Sequence, residues 1–357
     1  MASSCARAAL IVLLCFLLPA PITSGSSQVL SSRLRPPLPP FTVPAGDSLQ
    51  VGATPALALS RTGNLLVYVG RRSKVTRLYL QAASGGQPRV LAGTEGAANP
   101  FFSPDGHWVG FFADGKLKKL LLEPPNSAPT VICDASAPRG ASWGDDGRIV
   151  FAIAGRVELL RVSTEGSEPQ PVTRPTDQED FGHRWPQVLP GGKTALFAID
   201  RGAGFDNARI AALSLETGEI RLLIEGGTSP HYVAGHVVYA REHTLFAARF
   251  DVTSLKVTGP AAPALSDVAM NAFNGVAHVS IANNGSLAYI SPNLPEAQRT
   301  LVWVDRKGTA KPLTAVKHAY YAPRLSPDGA KLAFVLQKPT SEVWRSEERR
   351  VGKECRL

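Results

Sequence analysis

The chain has 357 residues, 44% of them hydrophobic, and its 38 Lys plus Arg against 29 Asp plus Glu give a formal net charge of +9. That apolar content excludes a disordered chain, and charge spread without a dense patch or an aromatic–basic stripe excludes a nucleic-acid surface. Gly (32) plus Pro (29) come to about 17% against an average near 12%, with no low-complexity tract to hold them, so the composition is that of a turn-rich all-β protein.

From the N-terminus, Arg7 precedes an apolar run, Ala8–Leu18, and small residues follow at Thr23–Ser27. The run is shorter than the roughly 20 residues of a membrane span, so residues 1–25 read as a secretory signal, with an uncleaved anchor that tethers the chain to a membrane as the alternative. Residues 26–50 contain "SSRLRPPLPPFTVPAG", a Pro-rich linker expected to be extended and solvated. The expected location is the periplasm or the extracellular space. Cys5 and Cys15 lie in the signal and Cys355 in the tail, which leaves Cys133 as a small buried hydrophobe that builds neither a disulfide framework nor a metal site.

Residues 51–344 carry a repeat. Aligned on a turn glycine, "LSRTGNLLVYV" (Gly63), "FSPDGHWVGFF" (Gly106), "WGDDGRIVFAI" (Gly147), "VLPGGKTALFAI" (Gly192), "YVAGHVVYA" (Gly235), "IANNGSLAYI" (Gly285) and "LSPDGAKLAFV" (Gly329) recur at intervals of 43, 41, 45, 43, 50 and 44 residues. A short strand precedes each glycine and a more apolar one follows. A third follows ("TRLYLQA", "KLKKLLLE", "VELLRVS", "RIAALSL", "TLFAARFD", "TLVWVD"), and after a polar turn a fourth, such as "RLLIEG" or "KPLTAV". Four antiparallel strands in 40–45 residues is the size of one propeller blade. An isolated meander of that size leaves two faces open, and stacking blades around an axis covers them. The pattern predicts a β-propeller of about seven four-stranded blades, the last truncated, and a monomer.

"SPDG" followed by an alternating apolar strand resembles the TolB-like, WD-repeat-like propellers of bacterial periplasmic proteins. More narrowly, "NPFFSPDGHWVGFFADGKLKK", "PRGASWG", "HRWPQVLPGGK" and "RTLVWVDRKG" resemble the sensor region of some bacterial eukaryotic-like serine/threonine kinases, although no Gly-rich loop, H-R-D or D-F-G element is present here. A TolB-like propeller also precedes the α/β-hydrolase domain of prolyl-oligopeptidase-type enzymes. In residues 345–357, "RSEERRVGKEC" resembles a translated sequencing adapter, and eight of those 13 residues are charged where a strand is due. Without this tail and Arg7 the charge is about +6, a balance that suits anionic cell-envelope partners.

Candidate chemistry is sparse. "GASWG" matches the G-x-S-x-G elbow, but that motif needs a helix after the serine, and Ser142 and the core residue Trp143 instead run into a turn. His231, His236 and His243 have no metal-ligand spacing. Asp105, Asp145, Asp146 and Asp328 fit turn positions. "HRWPQ" admits two readings: His183, Arg184 and Trp185 line an axial funnel, or they pack between blades with Trp185 buried. Arg139, His231, Tyr321 and Arg324 begin inner strands in the same way. The expected function is non-enzymatic binding of a protein or small ligand at the axial face, with no cofactor and no metal.

Overall fold

A computed structural model describes residues 11–15, 38–41 and 47–292, apart from 83, 126, 176–179 and 203–204, and beyond these 301–304, 310–312, 320–326, 331–336, 342–347 and 354–356. The chain divides into two compact units, Met1–Ser291 and Pro292–Leu357.

The repeat glycines do what their spacing predicts. Gly63, Gly106, Gly147, Gly192, Gly235 and Gly285 have φ between 71° and 83°, a region that side-chain-bearing residues rarely enter. At five of them the glycine N–H closes the turn onto the carbonyl three residues earlier, as Gly106 does onto Ser103 at 3.0 Å. At Gly63, Gly106, Gly147 and Gly285 the glycine alone is left-handed, whereas Gly191 and Ala234 share that region with Gly192 and Gly235. The Asp114–Gly115 turn has both residues there, φ 55° and 72°, the primed turn that matches strand twist. Gly329 and Asp328 lie outside the described residues.

Each turn joins the inner strand of a blade to a second strand that is buried on both faces. In the third blade (Pro138–Trp143, Arg148–Ile153, Leu160–Ser163, Gln170–Pro171), Ile149 and Phe151 pack toward the second blade (Ala98–Phe102, Trp108–Ala113, Lys116–Leu121, Thr130–Asp134). Val150 and Ala152 pack toward the fourth (Gly182–Val188, Thr194–Asp200, Arg209–Ser214, Ile220–Glu225). Side chains alternate across a strand, so a strand sandwiched between two sheets reads as one apolar run. The same apolar packing joins the first blade (Leu57–Leu59, Leu65–Arg72, Val75–Ala82, Arg89–Val90) to the second, and the fourth to the fifth. It also joins the fifth (Thr228–Val233, His236–Arg241, Thr244–Asp251, Ala262–Leu265) to the sixth, which holds Val279–Ile281 and Ser286–Ile290.

Within the first unit, among the described residues, the sixth blade meets the first. Leu59 N–H donates to Ser280 Oγ at 2.9 Å, Asn283 N–H to the Arg61 carbonyl at 3.0 Å and Asn274 Nδ2 to the Ala53 carbonyl at 2.6 Å, all between the sixth blade and the first. The seventh repeat forms a four-stranded sheet within the second unit: Tyr320–Leu325, Lys331–Leu336, Glu342–Glu347 and Glu354–Arg356 in order. The charged tail supplies that sheet's outer pairing, Trp344 opposite Arg356.

Three further pairings differ from the repeat. Val302–Val304, read as the third strand of the sixth blade, pairs with Ala310–Pro312. The edge of Ser286–Ile290 is taken by Ile11–Cys15, inside the stretch read as a signal. Ser48–Leu49, from the linker, joins the first blade beside Leu65–Arg72.

Asn274, 5% exposed, uses both ends of its amide: Nδ2 crosses the closure to Ala53, and Oδ1 orders its own loop by accepting the Val276 N–H at 3.1 Å. Removing two buried hydrogen bonds costs about 2 kcal/mol. Asn274→Ala is therefore expected to lower the thermal midpoint clearly, and the exposed seam residue Asn284→Ala to lower it by less than half as much, both measured by thermal unfolding.

Candidate functional site

The inner strands do not run straight. Register shifts fall at Ala98/Phe101, Pro138/Ala141, Arg184/Gln187 and Thr228/His231. Each bulge contains a residue in the left-handed region: Asn99 (φ 50°), Gly140 (105°), Trp185 (54°) and Ser229 (49°). Pro100, Pro186 and Pro230 follow three of them, in keeping with the confinement of strand proline to bulges. Side-chain-bearing residues held at positive φ cost of order 1–3 kcal/mol each and cluster at ligand clamps. Gly140 has a further reason: a Cβ there would stand 2.7 Å from the Trp185 Cα.

Beyond the bulges, a side chain from each of the third to sixth blades reaches across to the next inner strand. Ser142 Oγ accepts the Val188 N–H at 2.9 Å, Gln187 Oε1 the Tyr232 N–H at 2.5 Å and Ser280 Oγ the Leu59 N–H at 2.9 Å. His231 Nε2 lies 3.4 Å from the Val279 carbonyl. These bonds frame an axial cavity of about 190 Å³ bordered by every blade: Leu57–Leu59, Asn99–Pro104, Gly140–Trp143, Trp185–Val188, Ser229–His231 and Val279–Ile281.

Two ties cross the ring at opposite ends of the inner strands. Arg61 Nη1 bonds Asp145 Oδ1 at 2.6 Å, joining the turns of the first and third blades. Trp185 Nε1–H donates to the Asn274 carbonyl at 3.0 Å, joining the fourth blade to the loop before the sixth. Asp145 also accepts the Gly191 N–H at 2.6 Å, and these bonds outweigh its partial burial and hold its carboxyl below the usual range. Its role is thus cross-blade, whereas Asp105, bonded to Ser103 and the His107 N–H, serves its own turn as expected. Asp146 does the same for the Arg148 N–H.

The structure sorts the sequence candidates. Trp185 and His231 border the cavity, together with Trp143. His183 does not: it is 1% exposed, its Nδ1 lies 2.7 Å from Thr173 Oγ1, its Nε2 is 3.6 Å from Asp180, and its ring meets Phe197 edge-on. Arg184 is ion-paired with Asp200 at 2.5 Å and lies over Phe205. These two take the inter-blade packing reading and not the funnel reading. Arg139 is half-buried beside Arg184 and donates to the Pro138 carbonyl at 2.9 Å; burial, then the neighbouring guanidinium, lowers its pKa. Tyr321 and Arg324 belong to the second unit, on Tyr320–Leu325. Ser142 gives its oxygen to the Val188 N–H and leads into a turn, which is not nucleophile geometry. Among the described residues no group of three His, Cys, Asp or Glu is placed to hold a metal.

Ser142, Gln187 and Ser280 were missed as wall residues. For Gln187 a signal existed: proline stands six residues before the turn glycine at 100, 186 and 323 and five before it at 230, which marks the bulge and hence the wall one residue on; Ser142 and Ser280 directly follow alanine and valine instead.

His278, 1% exposed, is pushed down to about 4 by burial, which a hydrogen bond to the Gly52 backbone only partly opposes. His231 is lowered similarly, to about 4, by burial alone, but it keeps part of its surface at the cavity and contributes less. The unfolded histidines titrate near 6.5 and so take up protons first. Stability is therefore complete above about pH 6.5 and falls as the pH drops toward 4, by something on the order of 3 kcal/mol for His278. Urea unfolding across that window is expected to show the decline, and His278→Gln to flatten it.

No family model matches the chain, and no curated protein matches it. Among solved structures it is similar to a protein described as TolB from Agrobacterium tumefaciens, at 14% identity and a TM-score of 0.55 over 80% of this chain and 98% of that one. Similarity extends to TolB from Acinetobacter baumannii (15% identity, TM-score 0.45, 66% of this chain and 54% of that one). It extends also to the acylaminoacyl peptidase of Pyrococcus horikoshii (16%, TM-score 0.40, 84% of this chain), of whose length this chain spans about half, 52%. At these identities the likeness is one of architecture: this chain has a TolB-like β-propeller fold.

Proposed function

We propose that the chain is an exported, non-enzymatic binding propeller that takes a small ligand in its axial cavity. The observation that carries this is the wall itself, to which all six blades bring an inner strand and which four strained or glycine-relieved bulges shape. Loops and rims on a rigid scaffold suit recognition. The non-enzymatic reading is supported by Ser142 being committed to the Val188 N–H, and export by the apolar run Ala8–Leu18. A kinase sensor or a peptidase propeller would use the same cavity, and the uninterrupted gene on both sides separates these contexts: an elbow serine downstream supports the peptidase, a kinase upstream the receptor.

A thermal-shift screen of small molecules tests the site. Trp143 and Trp185 border the cavity, so ligands bound there are expected to raise the midpoint and to change tryptophan emission, with both responses lost in Ala141→Leu, which narrows the wall. Ligands that stabilise wild type and variant alike would sink the axial reading.

A further inference from the structure

The cavity wall carries hydrogen-bond donors with nothing to donate to. Ser142 and Ser280 each use the hydroxyl oxygen to accept a neighbouring blade's N–H, and Gln187 uses Oε1. A hydroxyl has a donor besides its lone pairs, and an amide has two. The Ser142 and Ser280 hydroxyl hydrogens and the Gln187 Nε2 therefore stay uncommitted, with no acceptor among the described residues. All three side chains are half-exposed at the cavity. The assignment of the Gln187 amide is fixed by chemistry, because the Tyr232 N–H can face only its oxygen.

The charge on the wall has one sign. Arg61 is its only Asp, Glu, Lys or Arg among the described residues; one guanidinium nitrogen is held by Asp145, and Asp145 does not border the cavity. Two acceptors of the wall, Asn99 Oδ1 and His231 Nδ1, are shut from solvent and without partners. Between these polar groups the wall is apolar, built of Trp143, Trp185, Pro186 and Pro230.

Resting on the axial binding reading, we propose that the cavity takes a small monocarboxylate with an apolar body. Its carboxylate oxygens accept from Ser142, Gln187, Ser280 and the remaining Arg61 N–H groups, and its hydrocarbon part lies against the tryptophans and prolines. Charge-assisted hydrogen bonds of this kind are about twice as strong as neutral ones, which favours an anion over the amide of the same shape. One arginine beside three neutral donors suits a single negative charge, and a phosphate dianion would need a second cation.

The test titrates the full chain at pH 7 with pentanoate, pentanamide and inorganic phosphate, followed by calorimetry, thermal shift and tryptophan emission. Pentanoate is expected to saturate, raise the midpoint and change the emission, and pentanamide to bind at least about tenfold more weakly, as losing a charged hydrogen-bond partner predicts. Gln187→Glu keeps an oxygen for the Tyr232 N–H while replacing the donor with an anion, so it should retain its fold and lose pentanoate binding. Arg61→Gln keeps an N–H for Asp145, removes the charge, and should weaken pentanoate by a similar factor; it decides the matter if Gln187→Glu fails to fold. Equal binding of the amide, tighter binding of phosphate, or indifference to both variants overturns the carboxylate assignment. Failure of pentanoate while other ligands bind wild type and not Ala141→Leu would remove this assignment alone and leave the axial site standing.

Discussion

Everything in the first unit depends on how one inner strand is held to the next. A propeller's blades meet at a narrow axis where no strand pairs with its neighbour blade, so the backbone N–H groups there need acceptors from somewhere. Ser142, Gln187 and Ser280 supply them. Apolar packing between blades fixes their distance, but it is non-directional. The side-chain-to-backbone bonds add the direction and set the height of each inner strand relative to the next. Because the acceptors are side chains and not carbonyls, their remaining polar atoms face inward, and the device that organises the axis also makes the axis polar.

The bulges follow from the same constraint. An inner strand must curve into the axis at its start and run antiparallel to its partner at its end. An extra residue in the left-handed region does both, at a local conformational cost. The cost is reduced where glycine stands, at Gly140, and borne by Asn99, Trp185 and Ser229. Trp185 uses the forced geometry: its indole is aimed across the ring at the Asn274 carbonyl, so one bulge both shapes the wall and ties two non-adjacent sectors.

Much of this was legible in the sequence because it is local. The turn glycines announce their φ, and the doubly buried second strands announce sandwiching through unbroken apolar runs such as Ile149–Ala152. What was not legible is non-local. The repeat continues through Gly329, and nothing in its pattern marks where the ring shuts; that is decided by contacts such as Leu59 with Ser280, 221 residues apart. His183 looked like a funnel residue because it begins an inner strand, yet its place one residue before Arg184 at the bulge turns it toward Thr173. The donor set was hidden for the opposite reason, since serine and glutamine on a strand look like ordinary surface residues until their partners are known.

The seam between the sixth blade and the first is stitched by hydrogen bonds, and the N-terminal strand Ile11–Cys15 lies on the sixth blade beside Ser286–Ile290. A circle shut in this way ties the beginning of the chain to its last blade. Moving the break to another hairpin would part that strand from the blade it completes. A segment added ahead of the first blade therefore has to leave that edge pairing intact.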